Sequence, residues 1–237
     1  MERSLGLVTY DRQEQLDTLI QHVNSHKYNI IIGCGGVGFW AGIFLAMMGH
    51  TGFVLIDGDK IEPTNLNRLP VPQNWVGMSK VLALKRLIRM LRPEAVVTCI
   101  RAHVTHDEID LLKQTVDELV RYGLNIIDTT DDARIQRKIF DTLSVQIGRG
   151  DIEYTKMGYE GLEVGAYKDY NVWVPADYRP GYRTTNANAT TSAIAAGLGV
   201  FKLLIGDDDD MRFDIGKTVN KDIETLRQDA LGDNQNG

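Results

Sequence analysis

The chain has 237 residues, of which 43% are hydrophobic and 24% charged, a composition typical of a globular protein with one substantial core. Its formal net charge of -6 argues against a nucleic-acid partner, because such proteins usually present a basic face to the phosphate backbone. The longest apolar run, FWAGIFLAMM, is too short to span a bilayer, and the charged N-terminus is unlike a signal peptide. We therefore expect a cytoplasmic protein that binds no membrane.

The hydrophobic pattern predicts alternating strands and helices, after a polar helix over residues 11–27. The fourth predicted helix begins at Thr105, an N-cap candidate with Glu108 three residues further on. The predicted strands are YNIII, GFVLID, EAVVTCIRAHV and LNIIDTT, and the helices between and after them are residues 37–48, SKVLALKRLIRML, THDEIDLLKQTVDELVRY and DDARIQRKIFDTLSVQ. This order predicts an α/β fold, a Rossmann-like and mostly parallel sheet with helices on both faces.

The pattern changes after about residue 150. IEYTKMGYEGLEVGAYKDYNVWV alternates in hydrophobicity and predicts mainly antiparallel strands in an extended C-terminal half. A turn-rich loop follows, then a helix with small residues, AIAAGLGVFKLLIG, and a last strand, MRFDI. The remaining tail is polar.

A glycine-rich loop follows the first strand. Gly33, Gly35 and Gly38 fit G-x-G-x-x-G, and Gly36 adds a fourth glycine. Such glycines permit a tight turn, a close approach of the backbone to phosphate, and close packing of helix on strand. Asp57 ends the next strand, where a carboxylate can hold a ribose hydroxyl. The loop indicates an adenine nucleotide but does not distinguish NAD from ATP.

The segment DGDKIEPTNLNR, which begins at Asp57, favours ATP. It contains Asn65 and Arg68, and Lys80 follows in GMSK. Hydride transfer does not need this set of side chains, whereas phosphoryl or nucleotidyl transfer does, because cations offset charge on the phosphates and a carboxylate holds Mg²⁺. Asp128, Asp131 and Asp132 at the end of the fourth strand are candidates for that carboxylate; an NAD-dependent oxidoreductase is the disfavoured alternative.

These motifs together resemble the ThiF/MoeB/HesA superfamily, the adenylating enzymes of the ubiquitin-activating type. GCGGVG, DGD, TNLNRL, GMSK and DTTDD occur in the family's order, and YDRQ and the late helix also match, so that the similarity covers roughly residues 8–215. The resemblance implies one adenylation domain over residues 1–217. Its nucleotide-binding half would be 28–148 and its substrate-binding, crossover half 149–217, followed by a polar tail over 218–237.

The resemblance also implies roles for individual residues. The four glycines, with Asp57 and Asp59, would bind ATP, and Asp57 would hold the ribose. Asn65, Arg68 and Lys80 would bind and polarise the phosphates, and Asp131 would bind Mg²⁺, with Asp128 as the second choice. Arg12 would act across the interface of a homodimer. The implied reaction is attack of a C-terminal carboxylate on the α-phosphate of ATP, which gives an acyl-adenylate and pyrophosphate.

The chain departs from the family in three places before its late helix. Leu69 stands where the family usually has Gln. The family's Arg after the Mg²⁺ aspartate could be Arg134 or Arg137, although neither has the right spacing. The two C-x-x-C pairs of zinc-bearing members are absent, so we expect no zinc.

The family's catalytic cysteine is also missing, because the chain has no cysteine after Cys99. Cys34 and Cys99 are interpreted as small buried hydrophobic residues. Three possibilities stay open. The enzyme stops at the adenylate, Thr184 or Thr185 takes the acyl group as an oxyester, or the acceptor is a small molecule or an amide of the substrate.

The predicted substrate is the C-terminal tail of a ubiquitin-like or sulfur-carrier protein, with a conjugating-enzyme-like protein as a possible further partner. Alternatives are adenylation of a peptide or of a modified nucleoside, as in some relatives. A third alternative is a catalytically silent scaffold that binds a ubiquitin-like protein as one half of a heterodimer.

Overall fold

The computed structural model describes residues 27–104, 108–149, 152–160, 163–167, 188–205 and 211–215. The predicted N-terminal helix and the polar tail lie outside these residues, as do Arg12, Thr105, Thr184 and Thr185. No helix in the described part of the chain has the length and apolar character needed to cross a membrane.

Strands and helices alternate along the first part of the described chain. Three short 3₁₀ turns, Pro63–Asn65, Gln73–Trp75 and Val120–Tyr122, lie between them. The strands and helices are β1 Tyr28–Ile32, α1 Gly36–Met47, β2 Gly52–Ile56, α2 Lys80–Leu91, β3 Val96–Ile100, α3 Ile109–Leu119, β4 Leu124–Asp128, α4 Ala133–Gly148, β5 Ile152–Glu160, β6 Glu163–Tyr167, α5 Ala189–Ile205 and β7 Met211–Asp214.

The described strands form one seven-stranded sheet in the order β3-β2-β1-β4-β5-β6-β7. The pairs from β3 to β5 are parallel, and β6 and β7 add antiparallel strands. Ile32 at the end of β1 lies opposite both Ile56 and Asp128, so that the loops after β1, β2 and β4 leave the same edge of the sheet. The predicted fold class is confirmed.

Apolar side chains cover both faces of the sheet. Successive residues of β1 point to opposite faces, and Ile30 and Ile31 accordingly belong to separate clusters. The cluster of Ile31 includes residues of α1, α2 and α5, and the cluster of Ile30 includes residues of α3 and α4. Both strand residues are fully buried, as expected of a sheet between two helical layers.

Several predicted boundaries differ from the structure. β3 ends at Ile100 rather than continuing to Val104. The described part of α3 begins at Ile109, and Glu108 at its N-cap makes no capping hydrogen bond through its side chain. α5 begins at Ala189, four residues before the predicted start (193 − 189), because Asn188 Oδ1 accepts the Thr191 N–H at 2.9 Å and so caps the helix.

A buried polar network lies at the amino end of the sheet. Asn29 Nδ2 lies 3.1 Å from His50 Nδ1 and donates to Gly52 O at 3.1 Å, and Asn125 Nδ2 donates to Asn29 Oδ1 at 2.9 Å. His50 Nε2 is buried without a hydrogen-bond partner. Burial of the imidazole, followed by the charge of Lys27, lowers the pKa of His50 to about 4.

We predict that His50 makes the protein acid-sensitive. The unfolded chain binds a proton at His50 below its ordinary pKa of 6.5, whereas the folded chain does so only near 4. The free energy of unfolding should therefore fall as the pH falls from 6.5 to 4, by up to about 3 kcal/mol. Urea titrations at several pH values should show this slope, and His50→Gln, which cannot titrate, should lack it. Equal slopes in the two proteins would contradict the assignment.

Candidate functional site

Hydrogen bonds join the three loops at the carboxyl edge of the sheet. Gly33 N–H donates to Ile56 O at 2.9 Å, and Thr129 N–H donates to Ile32 O at 2.9 Å. Thr129 Oγ1 donates to Gly33 O at 2.7 Å. The end of β2 and the loop after β4 therefore hold the glycine turn from two sides. Gly33 has φ of 87°, a left-handed conformation that favours glycine.

The glycines of the loop have different neighbours. A Cβ on Gly38 would overlap Gly33 O, so this glycine permits the close contact between α1 and β1. A Cβ on Gly36 would lie 2.6 Å from Ser192 Oγ and 3.1 Å from Arg68 Cδ. A Cβ on Gly35 would meet no atom within 4 Å. The open space is therefore beside Gly35, immediately before the first turn of α1, whose N–H groups can bind an anion.

Asp57 links the glycine loop to the loop after β2. Its Oδ2 accepts the Cys34 N–H at 2.7 Å, and its Oδ1 accepts the Asp59 N–H at 2.7 Å. Asp57 is 9% exposed. A carboxylate oxygen has more than one acceptor position, so each can still accept a further hydrogen bond. The predicted contact with a ribose hydroxyl is compatible with this arrangement and stays a prediction.

Lys80 at the start of α2 forms an ion pair with Asp59. Lys80 Nζ lies 2.7 Å from Asp59 Oδ2, and the two side chains are 12% and 52% exposed. His103 Nε2 lies 3.5 Å from the other oxygen, Asp59 Oδ1. The Lys80 N–H also donates to Asp59 O at 3.0 Å. The structure thus places Lys80 beside the loop that carries Asp57, as the motifs predict, but pairs its ammonium group with a carboxylate.

Arg68 and Asn65 belong to a short turn after β2. Asn65 is buried, and its Oδ1 accepts the Glu62 N–H at 3.1 Å, which stabilises the turn. Arg68 Nη1 donates to Thr64 O at 2.9 Å and to Asn67 Oδ1 at 3.0 Å, while Arg68 Cδ lies near Gly36. The stem of Arg68 therefore reaches the glycine loop, and its guanidinium group contacts its own turn.

The aspartates after β4 have different environments. Asp128 is fully buried, and it accepts from Thr130 Oγ1 at 2.7 Å and from Tyr154 Oη at 2.8 Å. Burial raises the pKa of Asp128 despite these hydrogen bonds. Asp132 caps α4 and pairs with Arg134 at 2.8 Å, which lowers the pKa of Asp132. Asp131 is exposed, so its carboxylate is open to a hydrated cation.

Both candidates for the family's Arg lie near the start of α4 and form ion pairs there. Arg134 bonds to Asp132, and Arg137 lies 3.6 Å from Asp141 on the helix surface. In the described part of the chain no three His, Cys, Asp or Glu side chains are grouped as a metal site.

The cysteines are poor nucleophiles. Cys34 is fully buried, and burial, followed by the charge of Asp57, raises the pKa of its thiol well above its usual value. Cys99 is only partly buried, contrary to the buried position expected, but its Sγ donates to Val81 O at 3.4 Å and burial raises its pKa as well. A thiolate is the reactive form, and both sites disfavour it.

Three residues at this site were not among the predicted ones, namely Thr129, His103 and Ser192. Thr129 lies inside DTTDD, a motif in which only the aspartates were predicted to have a function. No motif in the sequence identifies His103 or Ser192. The fold brings His103 to Asp59 and Ser192 to the glycine loop from segments that are distant in the sequence.

The sheet order defines a Rossmann-like α/β protein with the glycine loop and the start of α1 at the carboxyl edge of its sheet. The ThiF family model matches residues 10–161, and the chain belongs to the ThiF family. This finding confirms the resemblance that the motifs indicate.

Two curated relatives are similar over parts of the chain. The adenylyltransferase and sulfurtransferase uba4 of Aspergillus terreus is 32% identical over 133 residues, which are 56% of this chain and 26% of that protein. The tRNA threonylcarbamoyladenosine dehydratase of Escherichia coli is 38% identical over 80 residues, which are 33% of this chain and 30% of that protein. The chain thus spans about a third or less of the length of these relatives.

A solved structure of the E. coli dehydratase in complex with AMP has the same fold. Its TM-score is 0.65 at 20% identity, and the match covers 87% of this chain and 97% of that chain. At this identity the similarity shows the fold alone.

We predict that two neighbouring glycines respond differently to substitution by alanine. Gly38→Ala should lower the melting temperature strongly or prevent folding, because its Cβ would overlap Gly33 O. Gly35→Ala should leave the melting temperature close to that of the wild type, because its Cβ would meet no atom. Differential scanning calorimetry of both variants tests the assignment, which would be wrong if Gly38→Ala melted like the wild type.

Proposed function

We propose that the chain is an ATP- and Mg²⁺-dependent adenylyltransferase. It would activate the C-terminal carboxylate of a ubiquitin-like or sulfur-carrier protein and release pyrophosphate. One observation carries the proposal: the start of α1, the carboxylate of Asp57 and the cations Arg68 and Lys80 lie at one edge of the sheet. A dinucleotide-dependent dehydrogenase does not need the two cations.

The reaction brings a carboxylate to a polyphosphate, and the two anions repel each other. Positive side chains at the reacting phosphate offset this repulsion and the charge that develops in the transition state. Arg68 is suited to this role because its stem already lies against Gly36, so that a change of side-chain torsions can move its guanidinium from Thr64 and Asn67 towards the loop. Lys80 would add its charge in competition with Asp59, with which it pairs at 2.7 Å.

The described carboxylates fit a magnesium ion bound chiefly through substrate phosphates. Such ions take one or two protein carboxylates and keep several waters. Asp131 is exposed at the correct edge, whereas Asp128 is enclosed and bonded to Thr130 and Tyr154. We therefore assign the ion to Asp131. Bound there, it would neutralise phosphate charge next to the cations.

The relatives support the reaction class and leave two substrate classes to compare. The name of uba4 includes adenylyltransferase, and the E. coli dehydratase binds AMP in its solved structure. The similarity to the dehydratase makes a modified nucleoside of tRNA the alternative substrate of this chain. The net charge of -6 favours a protein substrate over a nucleic acid.

We predict that Arg68→Met lowers the rate of ATP–pyrophosphate exchange about 100-fold, because one transition-state donor of this kind contributes roughly that much. The measurement uses a panel of candidate substrates, namely a ubiquitin-like protein with a free C-terminus, a sulfur-carrier protein and a tRNA. Arg89→Met is the matched control, because Arg89 is exposed near the end of α2.

The wild-type protein decides the function itself. Exchange stimulated by a protein with a free C-terminus supports the proposal, and exchange stimulated only by tRNA replaces the proposed substrate by a nucleoside. If no substrate supports exchange, the chain is not an adenylyltransferase for these classes. If Arg68→Met exchanged pyrophosphate at the rate of the wild type, Arg68 would have no role in the reaction.

We also propose that the chain acts as a homodimer in which Arg12 completes the partner's site. Acyl transfer would then proceed either to a partner's nucleophile or to Thr184 or Thr185. Neither described cysteine suits that step, since burial raises both thiol pKa values.

We predict a covalent product if a threonine is the acceptor. Intact mass spectrometry after incubation with ATP, Mg²⁺ and the protein substrate should show an adduct that resists thiols and is cleaved by hydroxylamine. Replacement of Thr184 and Thr185 by Ala should remove the adduct and leave pyrophosphate exchange unchanged. Exchange without any adduct in the wild type would instead place the acceptor on a partner.

A further inference from the structure

The hydroxyl group of Ser192 is a buried polar group with no partner. Ser192 lies in the first turns of α5 and is 0% exposed, and its Oγ makes no hydrogen bond. Its N–H is satisfied, since it donates to Asn188 O at 3.2 Å. A buried hydroxyl without a partner lowers stability, because it loses water and gains nothing in exchange.

The position of this hydroxyl points to the nucleotide loop. A Cβ built on Gly36 would lie 2.6 Å from Ser192 Oγ and 3.1 Å from Arg68 Cδ. Both atoms therefore lie on the same side of Gly36. Gly36 is the first residue of α1, a helix of 12 residues. The free N–H groups and the helix dipole attract an anion to this end of α1.

We propose that Ser192 Oγ donates a hydrogen bond to a phosphate oxygen of the nucleotide at the start of α1. This inference rests on the proposed function, which supplies the phosphate, and adds a binding residue from the C-terminal part of the chain. Hydrogen bonds from a hydroxyl to a charged oxygen are short and strong, so one such donor changes affinity measurably.

Arg68 lies close to this hydroxyl. Its stem lies beside Ser192 and Gly36 while its guanidinium group bonds to Thr64 O and Asn67 Oδ1. Rotation about the outer torsions of Arg68 would bring its guanidinium group to the phosphate from the same side of Gly36 as Ser192 Oγ. Arg68 and Ser192 would therefore contact the phosphate together.

Helix packing does not account for the hydroxyl. α1 and α5 pack closely, and a small residue at position 192 is needed next to Gly36. Alanine would meet that need without burying a polar atom. Thr155 Oγ1 on β5 is also buried without a partner, and Thr155 lies opposite Ile127, within the paired strands rather than at a helix start. It serves as the matched control.

The test compares Ser192→Ala with Thr155→Val in the full chain. Isothermal titration calorimetry measures the affinity for ATP and for adenosine, and calorimetric melting measures stability without ligand. We expect Ser192→Ala to weaken ATP binding about tenfold, to leave adenosine binding unchanged, and to melt at or above the wild-type temperature. Thr155→Val should also melt at or above that temperature, with both affinities unchanged.

The outcomes separate this inference from the proposed function. If the wild type binds ATP and Ser192→Ala binds it equally well, the inference is wrong and the proposed function stands. Equal losses for ATP and adenosine, or a lower melting temperature in Ser192→Ala, would show that Ser192 only shapes the fold. Absence of ATP binding by the wild type would overturn the proposed function and the inference with it.

Discussion

The two hydrogen bonds accepted by Asp57 organise the candidate site. One oxygen holds the glycine loop through the Cys34 N–H, and the other holds the next loop through the Asp59 N–H. Because β1 and β2 are parallel and in register, both loops begin at the same height, and a single short side chain can join them. The positions of α1, whose first turn follows the glycine loop, and of Lys80, which pairs with Asp59, depend on this connection.

The order of the strands and the nucleotide loop could be predicted from the sequence, because both depend on local signals. Alternating apolar segments identify a parallel sheet, and G-x-G-x-x-G needs only a strand before it and a helix after it. The sequence did not predict that β5 pairs with β4 in parallel and with β6 in antiparallel orientation. β5 has partners on both sides, and the alternation of its residues does not reveal the direction of either neighbour.

The side-chain partners within the site could not be predicted, because they depend on distances between segments that are remote in sequence. Asp128 and Asp131 are three residues apart in one acidic stretch, yet Asp128 is buried against Tyr154 of β5 and Asp131 is exposed. Only the position of β5 distinguishes them. Ser192 likewise reaches Gly36 through the packing of α5 on α1, and no motif records that contact.

The cations of the site are balanced by groups of the protein itself. Lys80 pairs with Asp59, and Arg68 bonds to a carbonyl and an amide of its own turn. A bound polyphosphate would have to compete with these partners, which are exposed and therefore weak. The competition lowers affinity for any single phosphate, since a monovalent anion gains little over Asp59. A nucleotide that contacts Arg68, Lys80 and the start of α1 at once offsets both exchanges, so we expect the arrangement to favour a polyphosphate over a simple anion.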